Sequence, residues 1–267
     1  MSERVRVELR DGVADVRMCR AEKMNAIDAA MFSELQEAGR ALAQDRQVRA
    51  VVLSGEGRAF CAGLDMESFA AMAGPRSGGN ADPKLFERSP GGANRAQLAA
   101  WIWQELPVPV IAAVHGVAYG GGLQIALGAD LRLVAPDARL SIMEVKWGLV
   151  PDMSGTQTLR RLVRQDVAKE LTFTGRVVSG EEAVALGLAT RVSAKPREDA
   201  LALAREIAGK SPDAIRAAKR LLQESWQGTV ADGLRLEEEL QRSLIGRPNQ
   251  LEAVKANFEK RAPKFSD

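Results

Sequence analysis

The chain has 267 residues, an apolar share of 46% and a formal net charge of +2, which excludes a disordered chain and leaves room for one large core. No run approaches the roughly 18 apolar residues of a membrane span, and so small a charge excess does not point to nucleic acid. A single histidine excludes a zinc site that needs two, and the two cysteines, Cys19 and Cys61, are read as buried thiols of a cytoplasmic protein without an export signal. The opening MSERVRVELR alternates charge with Val, the pattern of a strand and not of a signal peptide. Val5–Leu9 and Val13–Met18 flank Asp11-Gly12, a two-residue hairpin signal. Asp28 is placed to cap a helix running to about Gln44 through Met31, Leu35, Ala38 and Leu42.

Arg49–Leu53 reads as a buried strand, followed by SGEGRAFCAGLDM. There Phe60 and Cys61 are packing residues, Ala62 and Gly63 are small, and Asp65 can cap a short helix from Met66 to Met72. Ala73–Gly92 holds five glycines and three prolines; it reads equally as a lid over a bound chain and as a surface insertion. Helical spacing returns over Ala93–Leu106 at Leu98, Ile102 and Leu106, with Trp101 and Trp103 as packing residues. Val108–Val114 is a Val-rich strand, and Gly120, Gly121 and Gly122 lead from it into LQIALGAD, a helix with Leu123, Ala126 and Leu127 on one face. Strands are expected over Leu131–Ala135 and Arg139–Ile142 around a Pro136-Asp137 turn, and a helix over Met153–Val163 with Ser154 and Thr156 near its start. Helical segments Asp166–Leu171 and Glu181–Leu186 and a strand Ala189–Val192 complete an α/β unit over residues 1–196. Residues 197–267 are helical, with stripes at Leu201, Ala204 and Ile207, at Ile215, Lys219 and Leu222, at Leu234, Leu236, Glu238 and Leu240, and at Val254 and Phe258. Apolar stripes on consecutive helices call for partners.

The two Gly-bearing junctions carry the chemistry. Glycine permits positive φ and close approach, and the first N–H groups of a helix lack internal partners, so a strand, a Gly turn and a helix start can cradle an anion or oxyanion. The plainer reading is close helix–strand packing. The segments match neither G-x-G-x-x-G nor a P-loop, so a nucleotide phosphate is disfavoured. In order, AFCAGLD, AYGGGLQIALGAD and GLVPDMSGTQ resemble the enoyl-CoA hydratase/isomerase (crotonase) superfamily over nearly the whole chain. The resemblance implies a spiral of repeated ββα units with a helical C-terminal trimerisation region, and a homotrimer or dimer of trimers. It also implies an oxyanion hole from the N–H groups of Leu64 and Gly121, with Ala62, Asp65 and Gly120 beside it, holding the thioester oxygen of an acyl-CoA. It places Lys23–Ile27, with Lys23 and Ala26, near the CoA adenine, and makes Lys260 a basic residue given to a neighbouring subunit's CoA. Coenzyme A enters as part of the substrate; no metal or redox cofactor is implied, and neither membrane nor nucleic acid is an expected partner.

An oxyanion hole needs a group that moves protons, and a partly buried carboxylate suits this. Family hydratases carry two glutamates; here the first position is Gln124, which cannot ionise, and the second is Glu144. Asp152, eight residues further on, makes a pair with Glu144 that resembles dienoyl-CoA isomerases, although those have an aspartate where Gln124 stands. Each residue also has a plain reading: Glu144 as a surface carboxylate balanced by Lys146, Asp152 as a cap for a helix at Met153, Gln124 as a satisfied buried amide, and Trp147 as core packing instead of a wall of the acyl pocket. The resulting expectation is a double-bond shift in an enoyl- or dienoyl-CoA, with hydration of an enoyl-CoA as the alternative. A further alternative is an RNA-binding or scaffold relative, since Arg205, Lys210, Arg216, Lys219 and Arg220 fall close together, although a solvated face explains these more simply.

Overall fold

The N-terminal hairpin closes where two consecutive residues take left-handed backbone, Asp11 at φ 51° and Gly12 at φ 77°, the geometry whose twist matches that of paired strands. In this computed structural model, which describes residues 3–67, 88–89 and 91–267, the hairpin joins β1 (Val5–Arg10) to β2 (Val13–Met18). Helix α1 (Ala29–Gln44) starts as its cap predicts, the Asp28 carboxylate accepting from the Met31 N–H at 2.8 Å. β3 (Ala50–Gly55), α2 (Arg95–Glu105), β4 (Val110–Val114), β5 (Val117–Tyr119) and α3 (Gly121–Leu127) follow. Then come β6 (Leu131–Val134), β7 (Arg139–Ser141), α4 (Gly155–Leu162), α5 (Gln165–Thr174), β8 (Val178–Ser179), α6 (Gly180–Leu186) and β9 (Arg191–Val192). The expected helix beyond Glu67 and most of the Ala73–Gly92 loop lie outside the described residues.

Two sheets result: a six-stranded one in the order β1-β2-β3-β4-β6-β9, parallel apart from the β1–β2 hairpin, and a three-stranded one in the order β5-β7-β8. β6 and β7 do not pair with each other as the turn between them suggests. The Pro136-Asp137 turn, closed by the Ala138 N–H on Ala135 O at 3.0 Å, instead passes the chain from one sheet to the other.

A parallel sheet must be covered on both faces, and side-chain alternation shows how. Ala14, Val16, Val51, Leu53, Ala112 and Val114 face α1, α2 and α3. Val13, Ala50, Val52, Ile111, Ala113 and Leu133 face α7 (Pro196–Ala208). The buried stripe of α7 is Ala200, Ala204 and Ala208, with Leu201 and Ile207 only flanking it; alanines let the helix lie close on the strands. The core therefore continues past residue 196, because without α7 one face of the central sheet is bare.

Helices α8 (Pro212–Ser225), α9 (Val230–Leu244) and α10 (Pro248–Phe258) complete the chain. Lys219, read as part of a stripe and of a basic face, is an anchor: its buried ammonium donates to Trp103 O, Val108 O and Asp130 Oδ2. Leu222, Trp226, Val230, Leu234 and Phe258 are exposed in the single chain, Phe258 at 85%. No helix among the described residues is long and apolar enough to cross a membrane. The cysteines are free thiols, Cys61 buried and Cys19 half-buried; burial pushes Cys61 up to about 12.

Candidate active site

The Gly triplet follows β5, not the Val108–Val114 strand, which is β4 and ends before the turn at His115-Gly116. β5 was missed because three residues carry no readable periodicity. Gly120 takes φ 51°, and the helix begins at once with Gly121. Gly122 answers a close approach: a Cβ there would lie 2.4 Å from Cys61 O. The first junction is thereby laid against the second. Cys61 N–H donates to Val117 O at 3.0 Å and Tyr119 N–H to Cys61 O at 3.1 Å. On its other side Ile27 N–H donates to Gly63 O at 2.8 Å and Asp65 N–H to Ile27 O at 3.0 Å.

Between these bonds two amides are left over. Among the described residues, neither the Leu64 nor the Gly121 N–H donates to any group. The two junctions are close: a Cβ on Gly63 would sit 3.8 Å from the Gly121 nitrogen. Ile27 Cδ1 and Met153 Sδ flank Gly121, at 3.1 and 2.7 Å from where its Cβ would be. Neither residue was singled out from sequence, since each is remote from the triplet and chemically plain.

Asp65 does cap as expected, its Oδ1 accepting from the Glu67 N–H at 2.9 Å. It has a second duty: its Oδ2 accepts from buried Arg20 at 2.6 Å, and Arg20 also donates to Ala26 O. Burial alone would raise this carboxyl, but the Glu67 N–H and the Arg20 guanidinium outweigh it and hold it low. This ion pair locks the segment carrying Lys23 and Ala26 against Ala62–Asp65. Lys23 itself is exposed on the 3₁₀ turn Ala21–Lys23.

β7 delivers Glu144, the first residue of the 3₁₀ turn Glu144–Trp147, into the same place. A Cβ on Gly120 would lie 3.4 Å from Glu144 Oε1. Glu144 is buried and not a surface carboxylate balanced by Lys146, whose ammonium lies over the Trp147 ring at 5.7 Å. Gln124 Nε2 donates to Glu144 Oε1 at 2.6 Å, while Gln124 Oε1 accepts from the Met153 and Gly155 N–H groups, both at 2.9 Å. Two backbone donors on one end fix the amide's orientation, so its NH₂ must face Glu144. A proton on Glu144 therefore belongs on Oε2. That atom is buried and has no hydrogen-bond partner among the described residues. Burial pushes the Glu144 carboxyl up, and repulsion from Asp152 adds to this against the Gln124 bond.

Asp152 does not cap a helix at Met153. α4 starts at Gly155, and its N-cap residue Ser154, at φ 66°, makes no side-chain cap. Gln124 has taken the Gly155 N–H that a cap would otherwise compete for. Asp152 stands at the open side of the cluster, where partial loss of water raises its carboxyl. Trp147 is 42% exposed, so it is not core packing. His115 braces the scaffold through Nε2, 2.9 Å from Gly57 O. Lys260 is exposed after the end of α10, and its N–H donates to Asn257 O; it makes no contact with the cluster among the described residues.

The arrangement brings two uncommitted amides and a buried carboxylate with one unpartnered oxygen to one place, a set of groups able to stabilise an enolate and move its proton. Comparison with known proteins gives the family. A sequence profile described as enoyl-CoA hydratase/isomerase matches residues 8–267. Enoyl-CoA hydratase domain-containing protein 2, mitochondrial, of Bos taurus is 37% identical over 261 residues, covering 95% of this chain and 84% of that protein. Methylglutaconyl-CoA hydratase, mitochondrial, of Homo sapiens is 34% identical over 261 residues, 95% of this chain and 74% of that protein. The crystal structure of an enoyl-CoA hydratase from Bacillus anthracis superposes with a TM-score of 0.86 at 31% identity, covering 98% of this chain and 99% of that one. The fold is the crotonase fold that the three motifs implied, and the chain belongs to the enoyl-CoA hydratase/isomerase family of enzymes.

Proposed function

We propose that this protein shifts a double bond in an enoyl- or dienoyl-CoA, with Glu144 as the group that carries the proton. The observation that supports this reading best is the unpartnered, buried Oε2 of Glu144 beside two uncommitted amides. Glu144 Oε2 takes a proton from carbon, and the electron pair of that C–H bond passes into the conjugated thioester. The enolate oxygen rests on the Leu64 and Gly121 N–H groups. Return of a proton to a different carbon, from Glu144 or from Asp152, moves the double bond. No atom is gained or lost, so the reaction needs no cofactor beyond the CoA of its substrate.

Gln124 argues against hydration as the main reaction. A hydratase must hold and deprotonate a water, but both ends of this amide are already engaged, on Glu144 and on the Met153–Gly155 turn. Hydration stays as the second reading because the relatives above are called hydratases. Asp152→Asn separates the two. It is expected to slow isomerisation by ~10²–10⁴-fold, as loss of an acid–base group does, and to affect any hydration far less. The check is both rates on matched substrates. Rapid hydration of crotonyl-CoA by the unaltered protein, with every rate unchanged in Asp152→Asn, would overturn the isomerase reading.

CoA is placed along Lys23 and Ala26, with Lys260 supplied by an adjacent subunit. The exposed Leu222, Trp226, Val230, Leu234 and Phe258 support a trimer or dimer of trimers. Light scattering is expected to give that mass; a stable monomer with normal CoA binding would contradict it. An RNA-binding role loses its footing, since Lys219 is buried on Asp130, Arg216 is bonded to Arg46 O and Val48 O, and Arg220 pairs with Glu224 and Glu239.

A further inference from the structure

At Asp152 a cavity of about 300 Å³ opens, lined by Asp152 itself and by Trp101, Ser154, Arg160, Arg161 and Gln227. Asp152 and Ser154 both line it, and Met153 between them flanks Gly121, its Sδ 2.7 Å from where a Cβ there would be, so the cavity adjoins the reacting centre. Its charges are unbalanced. Neither Arg160 nor Arg161 has a carboxylate partner among the described residues, and neither pairs with Asp152 across the cavity. Two neighbouring cations repel one another, the single carboxylate of the wall, Asp152, leaves one of them unmatched, and Arg161 is half-buried besides. The Arg161 guanidinium lies over the Trp101 ring at 5.8 Å. Such stacking occupies the face of the guanidinium and leaves its in-plane N–H donors free for a fork-shaped acceptor.

A second, separate observation comes from Ser154. It is nine-tenths buried, in the cavity wall, and its hydroxyl has no hydrogen-bond partner among the described residues. A buried hydroxyl without a partner is costly, and a rotation of Ser154 about its χ1 toward the cavity would let a ligand oxygen relieve it. The cavity thus combines two guanidinium groups without carboxylate partners, an unpartnered hydroxyl in its wall and an aromatic wall, a mixed lining in which a charged chain end finds donors.

We infer that this cavity binds a carboxylate at the far end of the acyl chain, held by Arg161 and Arg160, so that the substrates are dicarboxylic acyl-CoA thioesters. The inference rests on the acyl-CoA reading above. It is tested by binding, without turnover, using saturated acyl-CoAs in titration calorimetry on the intact protein: glutaryl-CoA and adipyl-CoA against butyryl-CoA and hexanoyl-CoA.

The unaltered protein is expected to bind the better-fitting dicarboxylic ester roughly tenfold or more tightly than its methyl-ended counterpart, the scale of one charge-assisted bond. Arg161→Gln is expected to remove that preference and leave butyryl-CoA binding unchanged; Arg161→Lys, which keeps the charge without the fork, should restore part of it. Unaltered butyryl-CoA binding also certifies that the variants fold. Equal binding of both ester classes by the unaltered protein overturns the assignment and leaves the acyl-CoA reading standing. A preference that survives in both Arg160→Gln and Arg161→Gln overturns it as well. If Arg161→Gln weakens all four esters equally, the arginines hold CoA phosphate instead, and the assignment fails. Binding of none of the four would remove the acyl-CoA reading together with it.

Discussion

Glu144→Gln is expected to abolish turnover, by ~10²–10⁴-fold or more for the loss of the one carboxylate in the site that, among the described residues, has a buried, unpartnered oxygen. The introduced amide has nearly the same shape and still accepts from Gln124, so geometry is kept while the proton carrier is lost. Stability should not suffer. Burial raises the Glu144 carboxyl above its ordinary range in the folded chain, so the folded state favours the protonated form. Below the ordinary carboxylate range Glu144 is protonated whether folded or unfolded, and the variant should match the unaltered protein. As pH rises through the raised value, ionising a buried group weakens the unaltered fold, so a gap in favour of the variant opens. In kinetics the same shift has a sign: kcat/KM should fall on acidification at a pH above the usual carboxylate range, because the base form is needed. Thermal melts and kcat/KM across pH, on both proteins, check this. A Glu144→Gln protein with substantial turnover would remove Glu144 from the mechanism.

Gly121→Val should lower kcat by ~10²–10³-fold, the scale for one lost oxyanion donor. A Cβ at this position would lie 2.7 Å from Met153 Sδ and 3.1 Å from Ile27 Cδ1. Both are far ends of flexible side chains, so the fold can yield. What cannot survive is the open approach to the Gly121 amide, since the branched side chain fills the space beside it. Gly121→Ala should fall between, because one carbon displaces the Met153 sulfur, nudges Ile27 Cδ1 and leaves most of the space beside the amide open. The measurement is kcat with KM and a thermal melt for each variant. Near-native kcat in a folded Gly121→Val protein would show that this amide holds no oxyanion.

Asp152→Asn, Gly121→Val and Glu144→Gln together divide the site into its parts. Loss with Glu144 alone would describe a single-base proton shift; loss with Asp152 too would describe a relay.

The elements that could be read from residues in order are those set by short-range physics. The Asp11-Gly12 turn, the Asp28 cap of α1 and the apolar run of β4 depend on backbone preference and local periodicity, and each lies where its sequence signal stands. Family motifs added the position of the Gly triplet and of Glu144. What no local signal carried was direction and partnership. Gln124 was legible as a residue that cannot ionise, but its orientation follows from donors 29 and 31 residues away and an acceptor 20 residues away. The same distance problem hid β5, which is held by pairing with β7 on one side and with Cys61 on the other, and turned Lys219 from a stripe residue into an anchor on Asp130, 89 residues earlier. It also hid the second role of α7 as the cover of a bare sheet face. Arg160 and Arg161 stand in the last turn of α4, where basic residues suit the helix dipole; only packing placed them on one cavity with Asp152, which pairs with neither. Backbone preference acts over a few residues, whereas a hydrogen bond's direction, a charge's partner and a carboxyl's burial are settled by whatever the fold brings alongside, and that is decided by the tertiary structure alone.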